Sequence, residues 1–370
     1  MARAAEDSFV GVTGAQTLGI LFTVQTPRKE RLPVALYGAT GVVGQRFLEI
    51  LADHPWFELV EVRASSKSAG QALGKRVGGM CPPKLQDLVL GDVNEGASCR
   101  LVFSALPSEV ALERELSLRA AGHLVITNAS SHRLDSDVPL VIPEVNPEHL
   151  GLIQDPSKGV ILANPNCSTA GLVLALAPLA RAFGVRSVHA VTLQALSGMG
   201  GAAPSLDEFS GKISPFISEE EEKIQAETRR ILGALEGGSV VPAELAVAAT
   251  ANRVAVLDGH TACVSVALAR PVERDELLSA WECFGSTPGL SGLPSAPRQP
   301  VVYLEGDDVP RPDLHVNEQG GMAISVGRLR ECPVLDWRFT TLSHNAMRGA
   351  AGGAVLLAEL ALERGFLGHS

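Results

Sequence analysis

"LPVALYGATGVVGQRFLEILADHP" (32–55) opens on an apolar run, passes through glycines at 38, 41 and 44, and continues with apolar residues at helical spacing. That order reads as a buried strand, a tight turn and an amphipathic helix. Gly38 permits the turn, Gly41 lets backbone approach a pyrophosphate, and Gly44 lets helix and strand pack closely. Thr40, Val42 and Val43 complete the turn and the helix start, whose free amides suit phosphates. Such a turn also occurs at ordinary strand–helix junctions, so its weight comes from the pattern around it.

Working outward, "ELVEVRAS" (58–65), "CRLVFSAL" (99–106), "HLVITNAS" (123–130), "PLVIPEVN" (139–146) and "GVILANPNC" (159–167) read as further strands. Between them, "SEVALERELSLRAAG" (108–122) reads as a helix ended by glycine. Apolar strands alternating with helices predict a parallel sheet covered on both faces. From 168 the texture changes to a helix (168–183), a strand (187–198), an acidic helical block (218–235) and alternating strands at 261–270, 301–306 and 322–343. These predict a mixed sheet, and 345–365 a last helix with a small-residue start. The stretch 286–300 reads as a mobile surface loop.

The 370-residue chain carries a net charge of −10, which argues against nucleic acid or an anionic membrane as partner. Its six cysteines include no CxxC pair, as expected of reduced thiols in the cytoplasm. No stretch is apolar for long enough to span a bilayer. Residues 1–31 read as an extension of unknown order. Its apolar piece 9–24, the only candidate targeting segment, is broken by Thr, Gly and Gln.

Three places carry chemistry. The second strand ends "VRASSKSAG" (62–70), where Arg63, Ser65, Ser66 and Lys67 stand without an acid. Those groups favour a 2′-phosphate, and so NADP, over a plain solvated loop. In "ILANPNCSTAGLVLALAPLA" (161–180), Cys167 sits where a helix begins, and positive potential there lowers a thiol pKa towards the thiolate. Taken with its neighbours alone, Cys167 is equally a small buried residue. In "ANRVAVLDGHTACVSV" (251–266), Asp258-Gly259 reads as a turn between two strands that puts His260 at a strand start. A cysteine, a histidine and a nicotinamide fold together equip a protein to oxidise or reduce an acyl group. Zinc on Cys167 and His260 lacks paired ligands at short spacing, so no metal is expected.

With "GATGVVGQRFLEIL", "NPNCST", "TLQALSGMGG", "EEEKIQAET", "NRVAVLDGHT" and "HNAMRGAAGG" in order between about 33 and 362, the chain resembles the aspartate-semialdehyde dehydrogenases of archaea, fungi and some bacteria. The resemblance implies NADPH-dependent conversion of aspartyl 4-phosphate to aspartate semialdehyde with release of phosphate. It implies Cys167 as nucleophile, His260 as acid/base, Asn166 as a substrate-placing residue and Gln194 as the residue orienting the acyl intermediate. Arg253 is expected to clamp the substrate carboxylate, Glu220 to face its ammonium, Arg133 and Lys223 to hold the phosphate, and Asn345 to contact the nicotinamide amide. Without the resemblance, Glu220 and Lys223 read as a surface ion pair, Arg133 as solvated and Gln194 as a turn group. Ala251, Ala255 and Ala262 depart from the family pattern at positions outside the presumed site.

The expected fold is α/β. A Rossmann-type NADP-binding domain comes from 32–164 plus 345–370. An α+β catalytic and dimerisation domain of mixed sheet is inserted at 165–344. A homodimer or dimer of dimers is implied. The rival readings are a malonyl-CoA or related acyl-thioester reductase on the same scaffold, and a catalytically silent dinucleotide-binding protein.

Overall fold

The strand–turn–helix of 32–55 is realised as β1 (Leu32–Tyr37) and α1 (Val42–Leu51) in a computed structural model that describes residues 30–285 and 289–367. Residues 1–29 of the expected extension lie outside the described residues. After α1 come β2 (Phe57–Ala64), the short α2 (Leu73–Val77), β3 (Leu90–Asp92), β4 (Leu101–Ser104), α3 (Ser108–Ala120), β5 (Leu124–Thr127) and β6 (Val160–Ala163). The strands pair in parallel in the order β3-β2-β1-β4-β5-β6, the doubly wound order that places ligands outside the strands' carboxyl ends. The continuous apolar run of β1 has a direct cause: Val34 and Leu36 enter one core while Ala35 and Tyr37 enter the other.

Two expectations fail here. The stretch 139–146 is not a strand. Only Leu140 bridges Ala163, and prolines at 139 and 143 remove the donors a ladder needs. Conversely, the three-residue β3 is too short to announce itself in the sequence.

Asn164-Pro165-Asn166 then turns the chain from β6 into α4 (Cys167–Phe183). Beyond it lie β7 (Val185–Gln194), α5 (Leu206–Phe209), α6 (Glu220–Ile231), the hairpin β8 (Ala234–Glu236) and β9 (Ser239–Val241), β10 (Ala246–Arg253), β11 (His260–Leu268), α7 (Arg274–Glu282), β12 (Val301–Leu304), α8 (Pro312–His315), β13 (Ile324–Glu331) and β14 (Trp337–Ser343). The second sheet runs β10-β7-β11-β14-β13-β12, parallel at β10–β7 and β12–β13 and antiparallel elsewhere. It is the predicted mixed sheet.

The turn at Asp258-Gly259 does not close a hairpin, however. β7 lies between β10 and β11, so the turn carries the chain across the end of β7 and delivers His260 there. The strand expected over 187–198 also stops at Gln194, where the chain coils into a 3-10 turn over Leu196–Ala202.

α4 is apolar on almost every side because its core joins the two halves: Leu172, Leu174 and Leu176 pack in one cluster with Val125 and Ile161 of the first sheet and Val264 and Phe339 of the second. The chain returns to the first sheet through a π-turn at Met347–Ala351 and α9 (Gly352–Glu363), whose Val355 and Leu356 share a core with Val34 and Phe47. The expected mobile loop at 286–300 is anchored over its described part: Leu290 and Leu293 are buried, and Ser295 donates to the buried Glu359 of α9. Residues 286–288 lie outside the described residues. Among those described, no helix is long and apolar enough to cross a membrane.

Candidate active site

Asn166 caps α4. Its Oδ1 accepts from the Ser168 and Thr169 amides at 2.8 and 3.0 Å, a contact worth about 1 kcal/mol to a helix. Cys167 is thereby the first helical residue, and its Sγ lies 3.3 Å from His260 Nε2. The other ring nitrogen of His260 accepts from the Ala195 amide at 3.1 Å, so in the neutral ring the proton sits on Nε2, facing sulfur. Behind the cysteine the π-turn closes the space: a Cβ on Gly349 would stand 2.6 Å from Cys167 Cβ.

The expected lowering of the Cys167 thiol is overturned. Burial and the nearby Glu220 carboxylate push it up to about 12. Arg133, Arg253 and the helix-start amide of Ser168 all act downward, as anticipated for a helix N-terminus, but they rank behind burial and charge. Burial, with Arg253 and His344 as neighbours, lowers His260 to about 3. The resting pair is therefore a neutral thiol beside a neutral imidazole.

α6 supplies the carboxylates. Glu220, buried, accepts from Asn166 Nδ2 at 3.0 Å, Ser168 Oγ at 3.1 Å and Gln194 Nε2 at 2.9 Å. Seven residues on, and so two turns along the same face, Glu227 accepts from the Asn166 amide at 2.7 Å and from Arg133 Nη1 at 2.9 Å. Arg133 also donates to the carbonyls of Asn164 and Asn128 and is buried, not solvated.

Arg253, at the end of β10, gives Nη1 to Ala195 O. Among the described residues no carboxylate pairs with it. Among the described residues neither Glu220 nor Arg253 has an ion-pair partner within 4 Å, although each feels the other's charge, whereas Arg133 pairs directly with Glu227. Lys223 alone follows the surface reading, paired with exposed Glu219 at 2.9 Å rather than with Glu220. Sequence reasoning missed Glu227. Its signal was present in the seven-residue step from Glu220, masked by the charge-rich helix around it.

The dinucleotide turn fits its expected ligand. Gly38 has φ +85°, and a Cβ there would meet Ala105 O at 2.5 Å. A Cβ on Gly44 would fall inside contact distance of Gly38 O. On Gly41 it would meet only Gly38 O, at 3.5 Å, so the folded chain does not itself need glycine there, whereas a phosphate approaching the backbone does. No side chain caps α1, and its first turn holds no acid, which leaves its amides free for an anion.

Thr40 and the starts of Val42 and Val43 line this turn, and the Thr40 carbonyl is taken by Gln45. Arg63 differs from expectation: its guanidinium is committed to Glu61 at 2.8 Å, to Glu95 and to Gly96 O. Ser65, Ser66 and Lys67 remain exposed at the end of β2, with Ser66 hydrogen-bonded to Asp92. Asn345 is buried: Oδ1 accepts from the Gly259 amide and Nδ2 donates to Ser197 Oγ, which steadies the turn before His260.

Residues 33–153 match the family model described as semialdehyde dehydrogenase, NAD binding domain, and residues 176–348 match semialdehyde dehydrogenase, dimerisation domain. Together with the doubly wound sheet and the Cys–His pair, this defines the class: a semialdehyde dehydrogenase, an oxidoreductase that binds a nicotinamide dinucleotide. A curated aspartate-semialdehyde dehydrogenase of Cryptococcus neoformans is 41% identical over 364 residues, covering 92% of this chain and 100% of that one. One of Archaeoglobus fulgidus is 40% identical over 345 residues, covering 90% and 98%. A crystal structure of aspartate semialdehyde dehydrogenase with NADP from Candida albicans superposes with TM-score 0.82 at 38% identity, covering 91% of this chain and all of that one. The chain belongs to the aspartate-semialdehyde dehydrogenase family.

Proposed function

We propose that the protein reduces L-aspartyl 4-phosphate to L-aspartate 4-semialdehyde with NADPH, releasing inorganic phosphate, through a thioacyl intermediate on Cys167. The observation that carries this reading is the 3.3 Å approach of Cys167 Sγ to His260 Nε2 beside Glu220 and Arg253, neither of which forms a direct ion pair among the described residues. A substrate with an ammonium and a carboxylate satisfies those two groups at once. Its ammonium offsets the Glu220 charge, which after burial is the second cause that raises the Cys167 thiol.

Sulfur bonds to the acyl carbon as its proton passes to the departing phosphate oxygen, the carbon–oxygen bond to phosphate breaks, and phosphate leaves towards Arg133 and towards Lys223 once that side chain gives up its pair with Glu219. Gln194 and Asn166 hold the acyl group, and the protonated Nε2 of His260 donates towards sulfur or the oxygen beside it. The 38–44 turn, with Ser65 and Ser66 towards the 2′-phosphate and Asn345 towards the amide end, would hold NADPH, which would supply the hydride; the carbon–sulfur bond then breaks to release the aldehyde, and sulfur regains its proton from solvent. Arg63 supports the turn through its carbonyl, which accepts from the amides of Gly38 and Ala39, rather than through its guanidinium.

The chain divides into an NADP-binding part, 32–164 with 345–370, and a catalytic and dimerisation part, 165–344. We place the enzyme in the cytoplasm as a homodimer or a pair of dimers, with the mixed sheet at the subunit contact. The acyl-thioester reductase alternative is not favoured, since the relatives above share about two-fifths of their residues over nine-tenths of the chain under a different name. Aspartate semialdehyde, phosphate and NADP given to the purified protein are expected to yield NADPH, and CoA in place of phosphate is not. The reverse result overturns the reading.

A further inference from the structure

We infer that Glu227 is a positioning residue: one buried carboxylate fixes the Arg133 guanidinium against the backbone of Asn166, so that the phosphate-binding group and the start of the nucleophile's helix move as one piece. This rests on the proposed role of Arg133 at the phosphate. Each oxygen of Glu227 has one task, Oε1 accepting from Arg133 Nη1 at 2.9 Å and Oε2 from the Asn166 amide at 2.7 Å.

Glu227 is 1% exposed, which leaves no water to substitute for either bond. Arg133 is fixed in the same plane by two carbonyls, Asn164 O through Nε and Asn128 O through Nη2. Three bonds thus orient the fork and use three of its five N–H groups. On the other side, Asn166 is gripped twice by α6, at its amide by Glu227 and at Nδ2 by Glu220, while its Oδ1 caps the helix that Cys167 begins. Glu227 therefore links the Ser130–Arg133 loop, the Asn164–Asn166 turn and α6.

A double-substitution cycle separates this role from general stability, read as the KM for inorganic phosphate during oxidation of aspartate semialdehyde by NADP. Arg133→Met tests the phosphate role of Arg133 and is expected to raise that KM at least tenfold. Glu227→Gln keeps the acceptor for Asn166 but removes the charge that orients Arg133. It is expected to raise the phosphate KM about tenfold with the KM for the semialdehyde within about twofold of its original value. With Met at 133 the same Glu227→Gln change is expected to alter the phosphate KM less than about twofold, because the group it acts through is gone and no charge is left buried.

If Glu227→Gln raises the phosphate KM equally in both backgrounds, or not at all while Arg133→Met raises it, the positioning role is overturned and Arg133 keeps its own. If Arg133→Met leaves the phosphate KM unchanged, the phosphate role of Arg133 falls and this inference with it. Should Glu227→Gln not fold, Glu227→Asp is read in the same cycle, since it keeps the charge but shortens the reach by one methylene.

Discussion

The Ala195 amide donates to Nδ1 of His260 at 3.1 Å and thereby decides what the histidine offers to Cys167, 3.3 Å away on its other face. Protonating Nδ1 would set one N–H against another. The ring is held neutral, with its hydrogen on Nε2, as a donor towards sulfur. Neither partner is charged at rest.

The free enzyme is accordingly expected to hold Cys167 as a thiol at neutral pH. Alkylation by iodoacetamide, followed at the Cys167 peptide by mass spectrometry, should keep accelerating above pH 9, consistent with a thiol pushed up to about 12. Glu220→Gln removes a charge that raises it and should speed alkylation at pH 8 by about tenfold, the effect of one pK unit. A rate already saturated at pH 7 would contradict this account.

Acid stability follows from the buried imidazoles. Burial lowers His260 to about 3 and His344 to about 4, both below the ordinary 6.5. Between those limits the unfolded chain binds protons that the folded one refuses. The contribution to stability is complete above about 6.5 and is lost as pH falls towards 3. In denaturant titrations between pH 6 and 4, His260→Asn should reduce the slope of unfolding free energy against pH by about 1.4 kcal/mol per unit. Equal slopes for the two proteins would show that His260 charges freely.

Two glycines of one turn should separate fold from cofactor. Gly41→Ala meets only an ordinary 3.5 Å contact and should leave thermal stability nearly unchanged while weakening NADP binding at least about tenfold. Gly44→Ala drives a methyl into the Gly38 carbonyl and should cost about 2–3 kcal/mol of stability. Thermal melts with and without NADP measure both. A Gly41→Ala protein that binds NADP normally removes the pyrophosphate from this turn.

Much of this protein was legible in its order of residues. The parallel sheet covered on both faces, the last helix and the mixed sheet follow from runs of apolar residues and from turn glycines, because burial on two faces writes a different pattern from burial on one. Cys167 and His260 could be named because turn chemistry places them at the start of a helix and of a strand. Where patterns failed, the cause was partnership. The 139–146 run is apolar enough for a strand but has no ladder donors at its prolines, and the halves beside Asp258-Gly259 are parted by β7, which no local signal reveals.

Charge was decided only in three dimensions. The sequence determined that Cys167 begins a helix, and a helix start alone lowers a thiol. The fold brought Glu220 and partial burial to the same sulfur, and the sum reversed the sign. Likewise Arg63, Arg133 and Lys223 were alike as isolated cations. The structure tied the first to Glu61 and Glu95, buried the second on Glu227 and left the third in a surface pair with Glu219. Sequence fixes which charges exist and where along the chain they lie. Their energies depend on distance and on exclusion of water, and only the tertiary structure sets those.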